Sequence, residues 1–219
     1  MNLIGQDIAA AKPSSELPQL RSFDPYTGHS WASGTSPFAD GNNQESSSEA
    51  VNAWNGLGLW AKASGGQKDL GTEATWLAST EASTARTYWT APDMSSFEGG
   101  FDHTMVSLNW GGGKRDYATW FSPDPNAILA IQLIPMGPVQ TYLAAGGVDP
   151  EKIRASVKEA TPQGYGVQFG DYLLMYSALA GADDAAAAWT EATSLPDTSI
   201  DDGSSRSAML AFIASARRT

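Results

Sequence analysis

Cysteine is absent from the 219 residues, which excludes disulfides and thiolate metal sites while leaving the compartment open. Histidine is nearly absent: the chain has 2, His29 and His103, too few and too far apart for a histidine-built zinc site. Basic residues are also scarce. Lys and Arg total 13 against 24 Asp and Glu, a net charge of −11. A surface with so few cations is a poor match for a phosphate backbone or an anionic membrane, since both are bound by clustered Lys and Arg. No apolar run approaches the roughly 18 residues that a membrane span needs. The opening MNLIGQDIAAAK lacks a basic n-region and reads as a short helix rather than a signal peptide. A G-x-S-x-G elbow is missing, and Gly111-Gly112-Gly113-Lys114 fails the phosphate-loop spacing at both ends. Serine-hydrolase and P-loop chemistry are set aside on those grounds.

What remains is a chain able to bury a core, with 42% hydrophobic residues, sized for one domain or a large piece of one. A neutral ligand such as a polysaccharide is compatible with its acidity. Helices are expected over residues 3–11, from the Ser46 start through Ala61, and over 71–90 up to Ala91-Pro92. Further helices are expected at 139–145, 149–160, 170–180, 183–193 and 204–216. The Asp149-Pro150 start places proline at the first helical position, and Ser204 is read as the cap of the last helix. Residues 101–110 and 117–121 flank the glycine triplet and suggest a small β-hairpin. AILAIQLIPMGP reads as buried by composition, broken at Pro135 and Pro138. The fold class is therefore all-α, about seven helices in antiparallel pairs plus a small β-hairpin, and curved rather than a four-helix bundle.

The chemistry concentrates in residues 21–53, RSFDPYTGHSWASGTSPFADGNNQESSSEAVNA. Asp24, Tyr26, His29 and Trp31 crowd a segment with neither helical nor strand periodicity. Glu45 and Glu49 then sit four apart across three serines. Ser46 and Glu49 fit a capping box, which gives Glu49 a purely structural alternative; Glu45 precedes the cap and has none. Glu49, Asn52 and Gly56 share a helical stripe that is either solvated surface or the wall of a cleft. Of the 8 tryptophans, Trp54, Trp60 and Trp76 are assigned to the core. Trp31, Trp110 and Trp120 lie in polar or glycine-rich segments, suited either to stacking on a sugar ring or to packing beneath a loop.

FDPYTGHSWASG followed by FADGNNQESSSEAVNAW resembles the signature of glycoside hydrolase family 81, the endo-1,3-β-glucanases (laminarinases). The resemblance continues in GGKRDYATWF, IQLIPMGP and IDDGSSRSAMLAFIA, and so covers nearly the whole chain. It implies an (α/α)6 toroid that hydrolyses internal β-1,3-glucosidic bonds with inversion, without metal or cofactor. Inversion uses a carboxylic acid and a carboxylate base ~6.5–9.5 Å apart. By resemblance Glu45 is the general base and Glu49 the second important glutamate. Asp24 and His29 match positions expected to line the glucose-binding cleft, with Tyr26 and Trp31 expected to shape its wall and Asn43 and Gln44 expected to contact substrate. The family's general acid is an aspartate in a histidine-rich D-H-H-F-H-Y-G-Y motif, which this sequence does not contain. Residues 1–219 are accordingly expected to be the C-terminal portion of a single catalytic toroid, incomplete by itself, from a parent protein acting outside the cell. The expected partner is β-1,3-glucan, with neither nucleic acid nor membrane; the alternative is an α-helical module that binds this glucan without cutting it.

Overall fold

A computed structural model describes residues 2–32, 38–65, 67–97 and 100–217. Within the motif stretch, residues 33–37 lie outside the described residues. Helix α1 (Asn2–Ile8) leads to a long polar connection. Two residue-pair strands follow, β1 (Phe23–Asp24) and β2 (His29–Ser30), joined as an antiparallel hairpin in which Asp24 pairs with His29. This corrects the reading of that segment as loop. Strands of two residues leave no period for a sequence to display.

Strand β3 (Asn43–Gln44) feeds helix α2 (Ser47–Ala63), which packs along α3 (Lys68–Ala85). The short connection between them makes the pair antiparallel. Val51, Trp54, Leu57 and Ala61 form the buried face of α2, so the face is set by Val51 rather than by Ala50 and Ala53. Gly58 faces Ala74, where an added Cβ would lie 3.6 Å from that methyl; Gly56 faces open space, and nothing in the structure explains it. Trp76 departs from expectation. It is 47% exposed, resting edge-on against Phe23 at 5.3 Å rather than entering the core. Trp60 is half-buried and donates its indole N–H to Asn2 Oδ1 at 3.1 Å.

The α3 helix begins three residues before the expected start and passes into a π-turn over Arg86–Thr90. The hairpin around the glycines is present but short: β4 (Leu108–Trp110) pairs with β5 (Arg115–Asp116), and residues 117–121 are not strand. On its other edge β4 pairs with β3, with Asn43 opposite Trp110 and Gln44 opposite Asn109. The QESSSE run is therefore delivered by the edge of a three-stranded sheet.

The buried AILA segment is helix α4 (Pro125–Ala130), and a 3-10 helix spans Pro138–Ala144. Helices α5 (Pro150–Ala160), α6 (Gly170–Ser177), α7 (Ala182–Ser194) and α8 (Arg206–Ala216) complete the chain. Asp149 caps α5 through Glu151 N–H as anticipated, whereas α8 is capped by Ser205, one residue later than read. Met105, Leu129, Leu133, Leu143, Ile153, Leu173, Leu174 and Ile213 form the larger core between α4 and α8. A smaller core under α1–α3 holds Phe23, Trp54, Leu57, Leu70 and Leu77. Among the described residues no helix is long and apolar enough to cross a membrane.

Among the described glycines, Gly170 at the entry to α6 has the least room for a side chain. Phe169 adopts φ 65°, and a Cβ on Gly170 would sit 2.0 Å from the carbonyl oxygen of Tyr165. Gly170→Ala should therefore lower stability by more than about 2 kcal/mol, because the backbone must move to admit the methyl. Gly166, four residues earlier, faces open space and provides the control. Equal melting temperatures for the two alanine variants would contradict this.

Candidate active site

The three serines between the glutamates each have a structural task. Ser46 Oγ accepts the Glu49 N–H at 3.3 Å and caps α2. Ser47 donates its N–H and Oγ–H to Gln132 Oε1 at 3.2 and 2.8 Å. Ser48 Oγ donates to the Ile134 carbonyl at 2.5 Å. The buried Gln132 turns its Nε2 to the carbonyls of Glu45, at 2.8 Å, and Ser107, at 3.1 Å. One fully buried amide thus fixes the backbone on both sides of Ser46. Sequence reasoning missed it; the signal was a lone glutamine inside an apolar run.

Glu45 is half-buried and Oε1 accepts the Trp120 N–H at 2.8 Å. Burial pushes its carboxyl above the ordinary glutamate range; the Trp120 bond pulls the other way, and the Glu49 charge adds to the rise. Glu49 is exposed, one turn further along α2. Its N–H completes the cap, and its carboxylate acts on Glu45 through charge.

The β1–β2 hairpin carries the other group. Asp24 Oδ1 accepts the Tyr26 N–H at 2.9 Å, and Oδ2 accepts the Trp31 indole N–H at 3.2 Å. Burial works to raise the Asp24 pKa, but these hydrogen bonds and those of Thr27 outweigh it and hold the group below its ordinary value. His29 is buried with Nδ1 2.9 Å from the Ser30 carbonyl. A carbonyl only accepts, so Nδ1 carries the proton and Nε2 is left as the acceptor. Burial lowers the His29 pKa, opposed by the Ser30 carbonyl and the Asp24 charge, and keeps the ring neutral. Trp31 and Trp89 meet its ring edge-on at 4.5 and 5.0 Å.

Tyr26, His29, Trp31, Tyr88, Asn109 and Trp110 line an open cavity of about 390 Å³. Glu45 is not among the residues that line it. Trp110 is itself buried, packed under the exposed rings of Trp120 at 5.9 Å and Phe38 at 5.4 Å, so the aromatic surface beside Glu45 is formed by Trp120 and Phe38. Trp120 is 58% exposed, and its own N–H holds Glu45. The structure thus arranges the expected residues in two groups joined by an aromatic surface. Asn43 and Gln44 lie between them, both buried; the Gln44 amide is committed to the Ser46 carbonyl at 2.8 Å. Trp60 and Trp76 take no part in the cavity lining. Among the described residues no group of three or more His, Asp or Glu converges as a metal site.

A helical scaffold with a half-buried carboxylate near an open polar and aromatic cavity is compatible with a protein that acts on carbohydrate. Residues 1–210 match the family model of the glycosyl hydrolase family 81 C-terminal domain, and the chain belongs to that family. It is 39% identical over 162 residues to a glucan endo-1,3-beta-D-glucosidase of Acetivibrio thermocellus, covering 73% of this chain and 20% of that protein. A protein of the same description from Thermobifida fusca is 38% identical over 146 residues, covering 66% of this chain and 18% of that protein. Among solved structures, a glycoside hydrolase family 81 protein from Clostridium thermocellum, determined as a mutant, superposes with a TM-score of 0.84 at 33% identity. That match covers 98% of this chain and 29% of the other. The chain thus spans about a fifth of the length of the curated relatives it matches. The predominantly helical fold expected from the sequence, part of an α/α toroid, agrees with this structural match.

Replacing Gln132 with Leu should leave the Glu45 and Ser107 carbonyls and the Ser47 donors unpaired. A loss of about 3 kcal/mol or more is expected on thermal or denaturant unfolding. A variant as stable as the parent would show that Gln132 does not fix this junction.

Proposed function

We propose that this chain forms the base side of a cleft that hydrolyses internal β-1,3-glucosidic bonds with inversion. Glu45 is the general base, and β-1,3-glucan outside the cell is the substrate. The observation that carries the reading is Glu45 itself: a half-buried carboxylate held by the Trp120 N–H at the end of an aromatic surface. Burial raises its proton affinity, as suits a group that must take a proton from water. Asp24 and His29 supply polar contacts to sugar hydroxyls, Tyr26 and Trp31 form the wall, and the exposed Trp120 ring, with Trp110 packed beneath it, offers a face to a pyranose ring. Asn43 and Gln44 hold the strand that delivers Glu45. Glu49 tunes the base through its charge. The proton donor is an aspartate of the histidine-rich motif that the family resemblance implies and these 219 residues do not contain.

Joined to a segment carrying that motif, the protein should release laminari-oligosaccharides whose first-formed reducing ends are α-anomers, as inversion requires. Glu45→Gln should lower turnover about 10²–10⁴-fold while keeping glucan binding. Near-normal turnover in that variant would contradict the assignment. Binding without cleavage in the joined protein would leave a glucan-binding module. Cleavage by the 219-residue chain alone, abolished by Asp24→Asn, would place the acid at Asp24.

The pH profile supplies a second test. A base works deprotonated, so a raised Glu45 pKa moves the acid limb of kcat/KM above the ordinary glutamate value of about 4.3. Glu49→Gln removes a neighbouring negative charge, lowers the Glu45 pKa and should shift that limb to lower pH. A shift to higher pH would contradict the coupling. His29→Ala should weaken laminarihexaose binding by calorimetry and, because the ring is buried against Trp31 and Trp89, also lower the melting temperature, so affinity is read well below it; unaltered affinity would remove His29 from the binding surface.

A further inference from the structure

Glu81 is fully buried on α3, far in sequence from the motif, yet it touches the motif directly. Its two carboxylate oxygens accept the Ser30 N–H at 2.9 and 3.0 Å, and Oε2 also accepts the Ser30 Oγ–H at 2.8 Å. The Trp54 indole N–H on α2 donates to the same oxygen at 3.1 Å. One turn along α3, Thr84 Oγ1 donates to the Gly28 carbonyl at 2.9 Å. Gly28 adopts φ +75°, and a Cβ there would meet the Thr84 and Thr80 methyl groups at 3.0 and 3.2 Å. The strand is therefore pressed against α3 and bonded to it on both sides of His29. Trp31 follows immediately, and its N–H is bonded to the Ser22 carbonyl across the hairpin at 2.9 Å.

We propose that Glu81, with Thr84, is a positioning residue for glucan binding: it clamps β2 onto α3 and so sets how His29 and Trp31 face the cleft. Hydrogen bonds to the neighbouring backbone fix the ring that meets substrate more tightly than packing alone. A displacement of about 1 Å at such a ring can cost up to about 100-fold in productive binding. The carboxylate suits the task because it offers two acceptors to a backbone amide, a hydroxyl and an indole; an amide side chain offers one. The alternative is that Glu81 serves only to close the polar gap between α2, α3 and the hairpin, in which case stability alone depends on it.

The inference rests on the reading of the cleft as a glucan site, and the test separates the two. Laminarihexaose affinity of the 219-residue protein is measured by calorimetry well below the melting temperature for Glu81→Gln, His29→Ala and the double variant. In parallel, the imidazole resonances of the 2 histidines are followed by NMR through a pH titration. Glu81→Gln should weaken binding about ten-fold, and adding it to His29→Ala should cost less than it does alone, because part of its effect runs through the His29 ring and the rest through Trp31. The His29 resonances should move and titrate nearer the ordinary histidine range as the strand loosens. Thr84→Val, which removes the Gly28 bond along with the hydroxyl's contacts to the Thr80 and Glu81 carbonyls of its own helix, should give the same changes in smaller measure and serves if Glu81→Gln does not fold. Unchanged affinity and unchanged His29 resonances in a folded Glu81 or Thr84 variant would overturn the clamp. Full binding by His29→Ala would remove His29 from the glucan surface instead, and the resonances would then decide the clamp alone.

Discussion

The site depends on one constraint: backbone groups that leave the helices and enter the interior must still find hydrogen-bond partners. The motif stretch is made of two-residue strands and connections that cannot satisfy themselves. Two buried polar side chains, Gln132 in the turn after α4 and Glu81 on α3, do it for them. Gln132 takes the carbonyls of Glu45 and Ser107 and the donors of Ser47. Glu81 takes the amide and hydroxyl of Ser30. In a low-dielectric interior such bonds are strong when complete and costly when one member is missing, which makes the loop geometry all-or-none rather than adjustable.

The two anchored segments then meet through aromatic rings. On one side the hairpin holds Asp24 and His29 opposite one another; on the other, the start of α2 holds Glu45. Trp110 and Trp120 lie between, the first contributing to the cavity and the second bonding Glu45 through its backbone. The electrostatics of the three groups diverge. Asp24 accepts several donors and stays ionised, His29 is kept neutral by burial, and Glu45 is partly desolvated with a neighbouring negative charge. Different environments on one scaffold thus set different protonation behaviour for chemically similar acids.

Much of this was legible in the sequence, and the reason differs by element. The long helices announced themselves: apolar spacing marked α2 and α3, and Asp149-Pro150 marked the start of α5. The strands did not, because two residues cannot show a period of two. Trp76 was assigned to the core on its helical position, but a ring can cover Phe23 and still keep nearly half its surface in water. Glu81 was readable in principle, as an acid on the buried stripe of Leu70, Ala74, Leu77 and Ala85. What it bonds was not, since Ser30 is 51 residues away. The cluster of candidate residues was visible; its division into two groups, with Glu45 apart from the cavity, came only from the pairing of β3 with β4.

The central claim is that glucan runs from the hairpin cavity, which Trp110 helps to line, across Trp120 to Glu45. A crystal structure of this chain soaked with laminarihexaose tests it most directly. The account predicts a pyranose ring against the exposed Trp120 face, hydroxyls within hydrogen-bond reach of His29, and the Glu45 carboxylate within one water of an anomeric carbon. Sugar bound elsewhere, with the aromatic surface and Glu45 untouched, would contradict it.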